Sequence, residues 1–178
     1  AQDALNADEL TPAWQDWTPS TPQERAAFGD QLIADVQELN DYVHSDDFQT
    51  ALDEQGVAGL SNGAIALLDE VATGKITGEE DWWSGTDLWD FAANVEGSKM
   101  AFSLVSDFAT SKGEDGAALV EAIKTGYGSL EEALAVHGSL DAGFITYSEL
   151  TDDDKRSLTD LLNALAEPLS QLTVTVLE

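Results

Sequence analysis

Apolar side chains recur at intervals of three and four residues through every long segment of this chain. That spacing lines one face of an α-helix, whereas a strand would alternate every second residue. Phe28, Leu32, Val36, Leu39 and Val43 form the first stripe, and Leu60, Ala64, Leu67, Leu68 and Val71 the second. Leu88, Phe91, Val95, Phe102, Val105 and Phe108 make the third; Leu119, Ile123, Tyr127, Leu130 and Leu134 the fourth; Leu158, Leu161, Leu165, Leu169 and Leu172 the fifth. The pattern predicts an all-α fold, an up-down bundle of five main helices joined by short loops. Its expected core runs through Leu32, Val36, Leu67, Phe91, Val95, Phe102, Ile123, Leu134, Leu161 and Leu165.

Residues 1–20 read as an irregular lead-in in which Trp14 and Trp17 are the exposed aromatic pair. Ser20 or Thr21 then supplies an N-cap, Pro22 suits the first turn and Glu24 favours the positive end of the helix dipole. Asp46 and Asp47 open a short helical piece through Leu52 that Gly56 and Gly59 close. Gly97 interrupts the third stripe, and Gly126 with Gly128 weakens the fourth. Residues 138–150 read as a loop anchored by Phe144 and Tyr147. Thr151 with Asp154 marks a helix start, Pro168 a kink, and Leu172–Val176 alternates as a strand too short to build a sheet.

Charge narrows the function. With 35 Asp and Glu against 7 Lys and Arg, the net charge is −28. Such a surface repels a phosphate backbone and an anionic lipid headgroup alike, which removes nucleic-acid binding and docking on acidic membranes. Cations, cationic partners or a salty milieu suit it. The absence of Cys removes disulfides and thiolate zinc sites, and two His residues exclude a self-contained three-His site. No apolar run approaches the ~20 residues of a membrane-spanning helix, and Ala1–Ala4 shows no leader pattern, so any signal segment is expected to have been removed. At 178 residues a single domain is expected.

Carboxylates are densest at Glu79, Glu80 and Asp81, with Asp87 and Asp90 just beyond. Several oxygen ligands at one place suit a hard cation. The same letters also fit a capping box, Thr77 to Glu80, with a weaker version from Ser84 to Asp87. Trp82, Trp83 and Trp89 could stack on a sugar or line a groove, although Trp at helical spacing belongs more often to a core. His44 lies beside Asp46 and Asp47, and His137 precedes Gly138; both read as structural or solvated groups at helix ends. No nucleophile triad, phosphate-cradling glycine loop or His-Glu-x-x-His motif is present, so no catalytic residue is assigned.

The stretch from Gly59 to Asp81, then Ser84-Gly85-Thr86-Asp87-Leu88-Trp89-Asp90-Phe91 and Asn94-Val95-Glu96-Gly97, resembles the imelysin-like family. Within it the similarity is to the EfeO/EfeM-type branch, the periplasmic component of bacterial ferrous-iron uptake. The likeness returns in Gly143-Phe144 with Tyr147 and in Leu165–Leu172. It implies two four-helix bundles, a periplasmic or other extracytoplasmic address, a metal site between helices, and a membrane iron permease as partner. The family's His-x-x-Glu signature lies upstream of anything present here. By resemblance the chain (1–178) is therefore the later two-thirds of such a domain, and the missing upstream part is a further partner. The resemblance makes Glu80 the first metal ligand and Glu79 the second, with iron as the ion carried and zinc or calcium as alternatives. It also implies a second reading, a metallopeptidase, since the family is classed with peptidases. A third reading, from the acidity and the exposed tryptophans rather than the resemblance, is an acidic module binding glycan or protein.

Overall fold

The computed structural model describes residues 21–81 and 84–178. The expected lead-in with Trp14, Trp17 and Ser20, and the pair Trp82 and Trp83, lie outside the described residues. The chain divides into two compact units, Ala1–Ala51 and Leu52–Glu178.

In the first unit, helix α1 spans Pro22–Val43. Thr21 is its cap: Thr21 Oγ1 accepts the Glu24 N–H at 3.2 Å, and Glu24 Oε2 accepts the Thr21 N–H at 2.7 Å. Two orphan donors of the first turn are thereby satisfied, and Pro22 needs none. The helix buries none of its residues. Leu32 and Val36, expected in the core, are 63% and 56% exposed. Periodicity identifies an apolar face but says nothing about what covers it.

Helix α2 spans Asp46–Thr73 and breaks at Gly56, whose φ of 57° and ψ of −156° are not helical. The expected break is there, but Gly59 continues the helix rather than closing it. In the second unit α2 is followed by α3 (Asp87–Thr110), α4 (Glu114–Ala135), α5 (Asp152–Leu169) and α6 (Leu172–Leu177). These pack as an all-α bundle in which α4 lies against both α3 and α5.

Phe91, Val95, Phe102, Ile123, Leu134 and Leu165 are buried as expected. Leu67 and Leu161 are only half-buried, and their neighbours Leu68 and Leu162 take the core positions. In each pair both leucines flank the same stripe. The ~100° step between adjacent helical residues turns one of them to the edge of the face. Neither suspected glycine site interrupts a helix. At Gly126 a Cβ would come within 2.9 Å of Leu165 Cδ1, so the missing side chain lets α5 approach α4 closely.

The segment Leu172–Val176 is helical, not strand-like: Leu172 and Val176, four apart, are both buried. Burial on one face of a short helix overrode the β-propensity of its Thr and Val residues. The expected 138–150 loop instead contains a two-stranded antiparallel ladder, β1 (Gly138–Ser139) with β2 (Gly143–Phe144). Pro168, where a kink is expected, stands in the last turn of α5.

Candidate metal centre

The acidic segment occupies the connection from α2 to α3. After α2, Lys75–Thr77 form one 3₁₀ turn that ends at Gly78 in the left-handed region, φ 72°. A Cβ at Gly78 would lie 2.2 Å from the Tyr147 ring. Only glycine fits, because both the backbone conformation and the close approach exclude a side chain. Tyr147 Oη donates to the Ile76 carbonyl at 2.9 Å, and its backbone N–H bonds the Gly85 carbonyl at 2.9 Å. Lys155 lies over its ring, 4.2 Å from the centroid. The tyrosine thus pins both ends of the acidic connection to the turn ahead of α5.

Neither expected capping box forms. Thr77 Oγ1 donates to the Gly74 carbonyl at 2.6 Å, and Glu80 is bonded instead to the ammonium of Lys75. No helix begins at Thr77 for such a box to cap, since α3 starts only at Asp87. Thr86 Oγ1 donates to Asp81 Oδ2 at 2.5 Å, and Asp87 Oδ1 accepts the Asp81 N–H at 3.1 Å. These bonds fold the acidic segment back on the first turn of α3.

Lys75 is the centre of the arrangement. It is 6% exposed, whereas its partner Glu80 is 47% exposed. Its charge is felt at both Asp81 and Asp90. Asp90 is raised from its usual value, first by burial, then by its interaction with Asp81 and by the charges of Asp81 and Glu80. Asp81 is held low by hydrogen bonds from Thr86 and Asp90. The two carboxyls are therefore pushed in opposite directions. Asp87 is 1% exposed, and its Oδ2 has no hydrogen-bond partner. A carboxylate oxygen left in that condition is unusual, because buried polar atoms are almost always satisfied. Asp87 also lines a cleft of about 240 Å³ with Gly78, Ser84, Gly85, Thr146, Tyr147 and Ser148.

Of the two expected ligands, Glu80 lies in this cluster and Glu79 is exposed beside it. Each histidine has a local partner. His44 caps α1 with Nδ1 2.7 Å from the Asn40 carbonyl, and His137 Nε2 lies 3.9 Å from Asp154 Oδ1. Among the described residues no three His, Asp or Glu side chains converge as a ready metal cage. Trp89 packs edge-on against Phe144, ring centroids 5.3 Å apart, but it is only half-buried and does not belong to the buried core. Lys75 carries no signal in the spacing of the sequence, although it is the only Lys or Arg between Arg25 and Lys99 in an otherwise acidic stretch.

The sequence matches the imelysin family over residues 5–172, which includes the whole acidic connection. The chain belongs to the imelysin family. Among curated imelysin-type relatives, the iron uptake system component EfeO of Escherichia coli O157:H7 is 38% identical over 153 residues. EfeO of Escherichia coli K12 and of Shigella flexneri are each 37% identical over the same length. Each alignment covers 84% of this chain and 40% of the relative, so this imelysin chain spans about two-fifths of the length of those proteins. No described helix is long and apolar enough to cross a membrane.

Proposed function

We propose that this chain is an extracytoplasmic component of an iron-uptake system that binds iron and delivers it to a membrane permease without chemical turnover. The observation that carries the reading is the acidic connection. It gathers Glu80, Asp81, Asp87 and Asp90 at one place in a chain similar to proteins named as iron-uptake components. Carboxylate oxygens suit a hard cation such as iron, and the negative field of the whole chain raises the local concentration of any cation. Glu80 is the first ligand in this reading and Glu79 the second.

As an acidic half-site this donor set holds a divalent ion loosely, because water competes for each carboxylate and no cage enforces geometry. A His-x-x-Glu segment from outside these 178 residues would complete it. The test is anaerobic calorimetry with ferrous iron, on this chain alone and joined to such a segment. Weak binding that tightens in the joined protein, and that Glu80→Gln abolishes, is the expected result. Equal affinity in all four proteins would refute the assignment. Metal-dependent cleavage of a peptide library would favour a peptidase instead, and metal-independent retention on a glycan array would favour a glycan-binding module.

A further inference from the structure

Lys75 brings a positive charge to a place in the second unit where carboxylates crowd together. Its ammonium is buried and bonded to Glu80, and it acts electrostatically on Asp81 and Asp90. An ammonium ion and a metal ion need the same thing from a carboxylate, a lone pair and a negative charge. Glu80 Oε2 is already given to Lys75. A divalent ion arriving at Glu80 must therefore either remove the ammonium from that oxygen or share the site with a fixed positive charge close by. Both cost affinity, the second more steeply because the lysine is largely shielded from water.

A second feature points to a cation other than Lys75. Asp87, 1% exposed, binds the Asp81 backbone through Oδ1 and leaves Oδ2 without a partner. The cluster therefore keeps one buried acceptor that the lysine does not satisfy. We propose that Lys75 is a built-in competitor cation, so that metal capture at the Glu80–Asp87 cluster is an exchange of ammonium for metal and the lysine's return favours release. The inference rests on the metal-binding reading of this same cluster and adds the means by which a delivery protein avoids holding its cargo too tightly.

The probe is Mn²⁺, a hard, redox-stable ion visible by electron paramagnetic resonance. Lys75→Met keeps the buried stem and removes the charge. It should bind Mn²⁺ about tenfold tighter or more in low-salt buffer, and the gain should shrink as salt is raised. Glu80→Gln in the Lys75→Met background should abolish the gain. Unchanged or weaker affinity in a folded Lys75→Met protein overturns the inference.

A measurement on the unaltered chain covers the case in which that variant does not fold. The ¹⁵Nζ resonance of Lys75, sheltered by its ion pair, should shift or vanish in step with saturation by Zn²⁺. A resonance unmoved at saturation also overturns the proposal. Should Glu80→Gln weaken Mn²⁺ binding while Lys75→Met does not strengthen it, the metal site stands and the competitor role alone fails. If neither substitution changes binding, both fail.

Discussion

The hydroxyls of Tyr127 and Ser98 meet at 2.6 Å inside the second unit, and Ser98 Oγ donates in turn to the Ala64 carbonyl at 2.6 Å. Since Ser98 spends its proton on Ala64, Tyr127 is the donor to Ser98. The relay joins α4 to α3 to α2 through three groups buried to within 1% of full coverage.

Burial raises the Tyr127 phenol to about 12, with Glu131 adding to the rise and the Ser98 bond opposing it. The unfolded tyrosine titrates near 10. Below that pH neither state is ionised and the fold keeps its full stability. Between about 10 and 12 only the unfolded chain loses the proton, and the fold should lose about 2 kcal/mol. Tyr127→Phe should cost about 1 kcal/mol at neutral pH and flatten that alkaline decline. Urea titrations of both proteins at pH 8 and pH 11 test it; parallel declines would show that Tyr127 does not contribute.

Leu162→Ala should destabilise the second unit by about 2–5 kcal/mol, because Leu162 is 1% exposed and its loss leaves a cavity. Leu161→Ala, one residue earlier at the edge of the core, should cost about 1 kcal/mol. Denaturation midpoints would reverse this order if the core register were the one that spacing alone suggests.

Gly78→Ala should cost about 2 kcal/mol or more, since alanine is strained at φ 72° and its methyl would enter the Tyr147 ring. In a Tyr147→Ala background the steric part disappears and the penalty should fall to the backbone part. Thermal melts of the four proteins separate the two; an equal penalty in both backgrounds would mean that the ring yields freely.

Stability should rise with added sodium chloride. The net charge of −28 repels itself in the folded state, and salt screens that repulsion over about 8–10 Å near physiological strength. A melting temperature that fell steadily with salt would contradict this. Local attractions such as Lys99 with Glu131 at 2.7 Å are exposed and few, so their screening should not reverse the trend.

How far the sequence could be read depended on whether the deciding physics was local. The Thr21 and Thr151 caps were legible because each box closes within three residues. The helices of the second unit were legible because their apolar faces are long. Leu161 against Leu162 was not, since two leucines flank the stripe and only the partner helix selects between them. The helical fate of Leu172–Val176 depended on burial of two side chains in the bundle, against their own β-propensity. At the acidic connection the letters named the carboxylates but not their bonding. The Tyr147–Ile76 bond that holds the loop spans 71 residues, beyond any local spacing rule. The Lys75–Glu80 pair spans only five, but it became visible only once the chain folded back on itself.

The exposed apolar seam of α1, with Phe28 at 72% and Ile33 at 71%, gives salt a second and opposite consequence. In dilute buffer the shared negative charge keeps molecules apart and the seams never touch. Salt that steadies each molecule also removes that barrier, and the seams then attract at short range. Colloidal behaviour should therefore turn over while folding stability is still climbing: the osmotic second virial coefficient, positive at low ionic strength, should pass through zero as sodium chloride is added. Leu32→Asp and Val36→Asp together should keep it positive.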